Sequence, residues 1–600
     1  MSLKIRLIGE PSVRDEATEA YRPRSRKSWA LLCYLLLSER PPSRSRLGSL
    51  LFAEADDPLR ALRWNLAEVR RLIGPEARVE GNPVTLILPK RTVVDVERVL
   101  HGDWSDALDM PIIGSELLEG FDGIGSPEFE LWLLAQRRRV AASAEAMLHE
   151  AALVLLGRGE YDRAIPMAQS LVASNAYDES HQALLIRAYT MAGDSEAAKQ
   201  QMSACTRLFA EELGVAPGPA VRAAALARFE PQVAGADFAA VEAVIEAGSA
   251  AMAAGAPEAG VLSLRSGVAL ADTLEDAQLR ATSRISLADA LVHAVRGEDE
   301  EGALLLHEAE LIASDAGESD LQAQATAELG FIDMLGARYD RAEYWLDQAR
   351  ALTSDPAIVA RAASYLGVVE SDRANYDRSH EILVLAEDGA GAAGDTRRRA
   401  YATSMLGRLC LLQGKLESAV DHLGRAVAWA QDENWLSFLP WPQAFLGEAL
   451  LEMGDTDSAR QVLEQAFARA CQVGDPCWEG VSGRGLALLS EAEGETTLAF
   501  DILLDARKRC VRLSDTYMWG EAYILEAQCA LGVTHEHERV REWIEALYDL
   551  SSRTGMRELT VRAMTYESRL DGDDTLAAVE NLAAEIPNPR LHEFVSPLGR

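Results

Sequence analysis

The chain has 600 residues, of which 48% are hydrophobic, so it can form several domains with sizeable apolar cores. Its formal net charge is −35, but residues 1–100 carry a surplus of 5 positive charges and residues 101–600 therefore carry −40. Most of the chain would repel a polyanion such as DNA, and only the N-terminal hundred residues could bind one.

The cysteines and the apolar runs indicate where the protein resides. Seven cysteines are scattered without a Cys-X-X-Cys pair, which predicts reduced core thiols and neither a disulfide framework nor a metal site. The N-terminal segment lacks the long apolar core of a signal peptide. The longest apolar run, Trp29 to Leu37, is about half as long as a membrane span requires. These features predict a cytoplasmic protein with no membrane segment.

The first hundred residues contain short β-prone runs and three helical segments. Residues 3–8 alternate as a strand does, and Gly81-Asn82 separates two further β-prone runs, which predicts a hairpin. Helices are predicted over 29–38, 44–52 and 58–73, the last of them beginning at a proline and ending before Gly74-Pro75. Strands, three helices and a terminal hairpin predict a winged helix-turn-helix over residues 1–100.

The third helix is basic and amphipathic. Its apolar stripe is formed by Leu62, Leu66, Val69 and Ile73. Long cationic side chains on the opposite face can reach guanine or phosphate, and a small residue there lets the backbone approach the bases. We therefore predict that this face contacts bases in the major groove of DNA. A solvated face, on which Glu68 pairs with Arg71, is the alternative. The face consists of Arg60, Arg63, Trp64, Ala67, Glu68 and Arg71, with Asn65 and Arg70 at its margins.

Further cations lie before and after this helix in the sequence, and Arg70 lies at its margin. They are predicted to contact DNA phosphates, because backbone contacts position a reader on the duplex without specifying sequence. The set consists of Arg24, Arg26, Lys27, Arg70, Lys90 and Arg91.

Residues 105–230 are predicted to be helical, with two helix–turn–helix repeats. Three runs in the first 230 residues are distinctive: ALRWNLAEVRRLIG at 61–74, LLEGFD with FELWL and QRR at 117–138, and ELGVAPGPAVRA at 212–223. By these runs, residues 1–230 resemble the Streptomyces antibiotic regulatory protein family of bacterial transcriptional activators.

The resemblance implies an OmpR-like winged helix that binds direct repeats in promoter DNA as a homodimer. It also implies a bacterial transcriptional activator domain over 101–230 and recruitment of RNA polymerase. Family members usually carry Arg at the position of Glu68, a small polar residue at that of Ala67, and Gly-Tyr where this chain has Pro83-Val84. These differences imply a different operator.

From residue 235 onward the sequence repeats. A leucine recurs at spacings of 37, 40, 40 and 40 residues; Ala or Gly follows it by 8 positions, and small residues follow by 13 and 20. Helices can cross closely only where side chains are small, so residues 235–600 are predicted to form an all-α tetratricopeptide-repeat superhelix with a concave groove. The four series are Leu329, Leu366, Leu406, Leu446 and Leu486; Ala337, Ala374, Gly414, Gly454 and Gly494; Ala342, Ser379, Ala419, Ala459 and Ala499; and Ala349, Ala386, Ala426, Ala466 and Ala506. Residues 530–560 do not fit the register.

Aromatic residues concentrate between two of these repeats. Trp435, Phe438 and Trp441 fall in a predicted loop, and Trp478 follows in the next repeat. They predict a groove for a small-molecule or protein effector. Tryptophan as packing filler between repeats is the alternative.

No enzymatic motif is found. There is no P-loop, and the junction from Phe229 to Asp237 leaves no room for a nucleotide-hydrolysing module. His535-Glu536-His537 lacks zinc-ligand spacing. The chain is therefore predicted to be a non-enzyme without cofactor or metal.

The sequence thus predicts a sequence-specific DNA-binding transcriptional activator that is modulated through its C-terminal repeats. The alternative is a repeat-based interaction scaffold whose winged helix docks protein instead of DNA.

Overall fold

The computed structural model describes residues 3–15, 25–38, 41–102, 104–108, 115–224, 238–253, 257–433, 435–513, 517–571 and 576–596. They form two compact units. The first comprises Met1–Met147, Ser552–Gly555 and Asp573–Leu582, and the second comprises Leu148–Ser551, Met556–Gly572 and Ala583–Arg600.

The first unit contains the predicted strands and helices in the predicted order. A three-stranded sheet has the order β2-β1-β5, with β1 antiparallel to β2 and parallel to β5, and β3 pairs with β4 as the predicted hairpin. The elements are β1 (Leu3–Arg6), β2 (Ser12–Asp15), α1 (Arg26–Leu37), α2 (Arg44–Phe52), α3 (Pro58–Ile73), β3 (Arg78–Glu80), β4 (Thr85–Ile87), β5 (Val93–Val94), α4 (Asp95–His101), a 3₁₀ turn (Trp104–Leu108) and α5 (Pro127–Gly157).

Side-chain caps fix the starts of the three helices of the winged helix. The Ser25, Ser43 and Asp57 side chains accept hydrogen bonds from backbone N–H groups in the first turns of α1, α2 and α3. Helix α3 ends at Gly74, whose φ of 82° lies in the region that glycine favours. The apolar stripe predicted for α3 is buried.

The segment that follows the winged helix packs onto it within the first unit. The Phe129 ring is fully buried, and the Trp132 ring lies 4.7 Å from that of Tyr34 on α1. Arg137 donates to the carbonyls of Leu117 and Leu118 at 2.9 Å. The LLEGFD, FELWL and QRR runs that carried the family resemblance therefore attach α5 to the winged helix.

The described residues after α5 are mainly helical. Two π-helical turns among them, Phe209–Leu213 and Leu291–Val295, interrupt the α-helices. The helices are α6 (Tyr161–Ser174), α7 (Glu179–Met191), α8 (Ser195–Leu208), α9 (Pro219–Ala224), α10 (Phe238–Ala253), α11 (Pro257–Ala271), α12 (Ala277–Ala290), α13 (Asp299–Ala316), α14 (Ser319–Leu335), α15 (Tyr339–Leu352), α16 (Pro356–Asp372), α17 (Tyr376–Ala393), α18 (Thr396–Leu412), α19 (Leu416–Asp432), α20 (Pro440–Glu452), α21 (Thr456–Val473), α22 (Pro476–Ala492), α23 (Thr496–Cys510), α24 (Met518–Thr534), α25 (Val540–Thr554), α26 (Arg557–Asp571), α27 (Leu576–Ala583) and α28 (Pro589–Val595). The segment 530–560, unplaced from the sequence, forms the end of α24, α25 and the start of α26.

The predicted repeat register is confirmed. Every position of the turn series has positive φ, including the non-glycine residues Ala337 (51°) and Ala374 (62°). Every small residue of the other two series is at most 1% exposed. Helices α14 to α23 pack as five successive antiparallel hairpins, whose crossings are lined by these residues.

A further regular contact joins the two helices of four repeats. The residue after the repeat leucine is glycine in four repeats, and a leucine sixteen positions later packs against it. A Cβ at Gly407 would lie 2.5 Å from Leu423, so nothing larger than glycine fits without displacement. The equivalent pairs are Gly330–Leu346, Gly367–Leu383 and Gly447–Leu463.

The repeats coil tightly enough for distant segments of the second unit to meet. Arg557 Nε donates to the Arg373 carbonyl at 2.8 Å, and Asn588 Nδ2 donates to the Leu412 carbonyl at 3.2 Å. Charged groups are buried inside: Arg408 pairs with Asp372 at 2.6 Å, and Tyr339 donates to the same carboxylate at 2.9 Å. Side chains of distant segments therefore pair with one another in the described part of the coil.

Within the described residues, one helix, α5, passes the length and composition test for a membrane span. Of its most apolar window, 61% is buried inside the protein, as in the core helix of a soluble domain.

We expect Gly407→Ala to lower the free energy of unfolding by about 1–3 kcal/mol, because the new methyl group would overlap Leu423. The matched control is Gly424→Ala in α19, where no atom lies within 4 Å of the added Cβ. The control should stabilise the protein by about 0.5–1 kcal/mol through helix propensity. Urea denaturation followed by circular dichroism measures both, and an equal effect of the two changes would contradict the packing argument.

We expect Arg408→Met to lower the free energy of unfolding by about 3–5 kcal/mol, because it leaves the buried Asp372 carboxylate without its cation. The control is Arg541→Met, which removes an exposed ion pair with Asp571 and should cost less than about 1 kcal/mol. Thermal and urea unfolding midpoints report the difference, and similar midpoints for both variants would refute it.

Candidate nucleic-acid interface

The solvent face of α3 is cationic. Arg60, Arg63 and Arg71 are exposed, and Trp64 between them is 47% exposed. Ala67 is partly buried on the same face. The helix N-terminus is held by Pro58 and the Asp57 cap, so these side chains project from a fixed scaffold.

Two residues predicted for this face lie elsewhere. Glu68 is 1% exposed and accepts a hydrogen bond from Arg71 at 2.7 Å, so its predicted place on the outer face is wrong. Asn65 is also buried, where it accepts from the Ser28 hydroxyl at 2.8 Å and donates to the Ala61 carbonyl. The physical reason is the packing of α1 and α2 against α3, which covers a wider arc than the apolar stripe alone. The outer face is left without a carboxylate.

Arg70 connects α3 to the hairpin. Its guanidinium donates to the Val79 carbonyl on β3, through Nε at 2.9 Å and Nη2 at 2.5 Å. The side chain stays exposed at one edge of the helix. It therefore holds the hairpin in place beside the cationic face.

The flanking cations have different surroundings. Arg26 donates to the Gly120 carbonyl and lies over the Phe121 ring, and the Lys27 ammonium lies 5.6 Å from the centre of the Phe52 ring. Lys90 and Arg91 are exposed beyond the hairpin. Arg24 lies outside the described residues.

The aromatic residues predicted to line a groove are largely packed. Phe438 is 4% exposed and Trp441 3% exposed, and Trp435 and Trp478 are partly buried. Trp441 lies in the first turn of α20, so its predicted loop position is wrong. Its indole donates to the Ser404 hydroxyl at 3.2 Å, and its ring lies 5.2 Å from that of Trp478.

Buried charges join the end of α5 to the first repeats within the second unit. His149 Nε2 contacts Glu300 at 3.0 Å, and Arg341 pairs with Glu150. Burial lowers the pKa of His149, but the Glu300 charge and hydrogen bond outweigh it and raise that pKa above 6.5. The pKa of Glu300 is lowered by His149 despite its burial. Neighbouring His307 has a pKa lowered to about 3 by burial and by Arg341, so it stays neutral.

In the described part of the chain, one group of three side chains could hold a metal ion. Ligand atoms of Asp289, His293 and Glu328 lie within 4.8 Å of one another. However, Glu328 already bonds His293 at 2.7 Å and Arg361 at 2.9 Å. The ion pairs account for this arrangement without a metal.

Residues 104–227 match the family described as bacterial transcriptional activator domain, which confirms the resemblance seen in the sequence. No curated protein matches the chain significantly.

Several solved structures are similar to the chain at low identity. A Rap protein complexed with Competence and Sporulation Factor is 14% identical with a TM-score of 0.40, over 59% of this chain and 95% of that one. EmbR of Mycobacterium tuberculosis, in complex with a low-affinity phosphopeptide, is 16% identical with a TM-score of 0.27, over 37% of this chain and 64% of that one. Aspartyl phosphate phosphatase F from Bacillus subtilis is 11% identical with a TM-score of 0.32, over 71% of this chain and 93% of that one.

We expect Glu300→Gln to destabilise the protein more at pH 6 than at pH 9. A raised His149 pKa contributes stability that is fully present below pH 6.5 and is lost as the pH rises through the raised value. The control is Glu301→Gln, which removes an ion pair with an arginine, Arg265, and leaves the contact to His149 in place. Urea unfolding midpoints at the two pH values test this. If Glu300→Gln lowers the midpoint equally at both pH values, the His149–Glu300 ion pair is not the source of the lost stability.

Proposed function

From its bacterial transcriptional activator domain, which the resemblance to the Streptomyces antibiotic regulatory protein family predicts, we infer that the chain is a sequence-specific DNA-binding transcriptional activator. The observation that carries the proposal is the solvent face of α3, where arginines surround Trp64 and the one acidic residue, Glu68, is buried. In a chain of net charge −35, such a face fits a polyanion.

The proposed contacts follow from the placement of the side chains. Arg60, Arg63 and Arg71 enter the major groove, where a guanidinium can donate two hydrogen bonds to guanine. Trp64 and Ala67 offer apolar contact to base edges such as the thymine methyl group. Phosphate contacts are assigned to Arg24, Arg26, Lys27, Arg70, Lys90 and Arg91.

Glu68 and Asn65 act on this interface indirectly. Glu68 orients Arg71, since the two side chains share a hydrogen bond at 2.7 Å. Asn65 ties α3 to α1 through Ser28. Neither carries a direct base contact in this proposal, because both are buried.

The proposed organisation has three parts: a winged helix over 1–100, an activator domain over 101–230 and a repeat domain over 235–600. The activator domain recruits RNA polymerase, and the protein binds direct repeats as a homodimer in the cytoplasm. The repeat domain responds to a protein or small-molecule effector. The net charge of −40 on residues 101–600 must stay more than a Debye length, about 8 Å, from bound DNA.

A scaffold function is the second candidate, with the winged helix docking protein. Leu59 is 50% exposed on the same helix as Trp64, and such apolar residues occur in protein interfaces. The burial of Glu68 weakens this candidate, because it removes the carboxylate that would have opposed DNA.

We expect Arg63→Ala and Arg71→Ala each to weaken binding to the promoter upstream of the protein's own gene by about tenfold or more. The matched control, Arg541→Ala, removes one positive charge from the repeat domain and should leave the affinity unchanged. Gel-shift titrations at several salt concentrations measure the affinities, which should fall steeply as salt rises. If both α3 variants bind the promoter with wild-type affinity, or if the affinity does not change with salt concentration, the scaffold function is favoured.

A further inference from the structure

The second unit has a cavity of about 630 Å³ between α12 and α13. Arg280 and Arg284 line it from α12, and Glu308, Ile312 and Asp315 line it from α13. Within each helix these residues are three, four or seven positions apart, so each set belongs to one helix face. The volume lies within the range of small-molecule sites, about 300–1,000 Å³.

One wall of the cavity is closed by buried ion pairs. The Arg284 side chain is 5% exposed, and its Nε donates to Glu308 at 2.8 Å. Its Nη2 donates to Asp272 at 2.9 Å, and its Nη1 donates to the Arg280 carbonyl at 3.2 Å. These bonds occupy every nitrogen of the guanidinium, so this wall is fixed in place and has no cation to spare for a ligand.

The open side of the cavity carries two charged groups of opposite sign, Arg280 and Asp315. The Arg280 side chain is 38% exposed, and Asp315 is exposed. Arg280 Nε contacts Asp272 at 3.4 Å, but that carboxylate is held more closely by Arg284, at 2.8 Å. Within the described residues, neither the Nη groups of Arg280 nor the Asp315 carboxylate has a hydrogen-bond or ion-pair partner.

The two helices that line the cavity are antiparallel. A Cβ at Gly302, early in α13, would lie 2.6 Å from Val292, which follows α12. Further along α13, Glu308 bonds Arg284, which lies before Val292 in the chain. Contacts that advance along α13 therefore go back along α12, and the start of α12 faces the end of α13.

This pairing brings the Arg280 and Asp315 side chains to one stretch of the cavity. Arg280 is one turn before Arg284, which makes it level with Ile312 on α13. Asp315 is three residues beyond Ile312, or about 4.5 Å along the helix axis. The wall between them is aliphatic, because Leu311 and Ile312 both line the cavity and are partly buried.

We propose that this cavity binds a zwitterion with an aliphatic body, the chemistry that free aliphatic amino acids and short peptides share. The ligand carboxylate bonds the Nη groups of Arg280, its ammonium group pairs with Asp315, and its apolar part packs on Leu311 and Ile312. A ligand with one charge would be repelled by one of the two groups, since Asp315 opposes an anion and Arg280 opposes a cation. A zwitterion satisfies both.

The position of the cavity connects its ligand to the activator domain. Gly157, the last residue of α5, lines the cavity and lies inside the span 104–227 that matches the bacterial transcriptional activator domain. A Cβ at Gly157 would lie 3.5 Å from Glu308 Cγ in the opposite wall. A bound ligand therefore contacts both the activator domain and the first repeats. We assign it to the effector of the repeat domain, an assignment that rests on the proposed function.

The test measures the binding of matched probes to the full-length protein by isothermal titration calorimetry. The probes are L-leucine and trileucine, each with free termini, with an amidated C-terminus and with an acetylated N-terminus. We expect at least one unmodified probe to bind at a single site, and each modification to weaken it by tenfold or more, because it removes one charge contact. The tighter of the two unmodified probes distinguishes an amino acid from a peptide as the source of the ligand.

Variants link each charge of the ligand to its partner. Arg280→Met should bind the unmodified probe no more tightly than the amidated one, and Asp315→Asn should bind it no more tightly than the acetylated one. Arg280→Lys keeps the charge and should give an intermediate affinity, which serves if Arg280→Met does not fold. The matched controls, Arg350→Met and Asp347→Asn, each break a partly exposed ion pair on α15 outside the cavity and should leave every affinity unchanged.

The proposal is overturned if neither unmodified probe binds, if the modified and unmodified probes bind equally, or if the cavity and control variants weaken binding equally. Gel shifts on the same proteins separate this result from the proposed function. Probe binding that fails while salt-dependent DNA binding persists would refute the cavity alone, whereas loss of DNA binding in the wild type would refute the activator.

Discussion

Close helix crossing is the constraint on which the rest of the repeat domain depends. Glycine opposite leucine, as at Gly407 and Leu423, and a small residue at two further positions of each repeat let the paired helices approach until no larger side chain fits. The same spacing in every repeat produces a regular coil. The coil is tight enough for Arg296 to reach Asp475 and for Asn588 to reach Leu412.

The tight coil buries charged groups and determines which segments pair. It buries charged groups such as Arg408 and Asp372, which are tolerated only because each has its partner. Such pairs fix which segments face each other, since any other pairing would leave a buried charge alone. The arrangement also brings aromatic rings of successive repeats into contact, as it does for Phe331, Tyr365 and Tyr401.

The winged helix shows how packing changes an electrostatic surface. A carboxylate among the arginines of α3 would oppose a polyanion, but Glu68 is taken into the fold and orients Arg71. The Arg70 contact to the hairpin and the Asn65 contact to α1 fix the helix on both sides. In the proposed activator, the affinity of the basic face therefore depends on buried polar contacts behind it.

The sequence by itself determined the element order of the winged helix, the activator-domain runs and the repeat register, because caps, turns and small residues act over short spans of chain. The turn positions of Ala337 and Ala374 follow from the register alone, and the structure shows that both have positive φ. Only the tertiary structure decided that Glu68 and Asn65 are buried and that Trp441 lies in a helix. Burial and pairing of these residues depend on helices that are distant in sequence, and a helical wheel or a residue count does not contain that information.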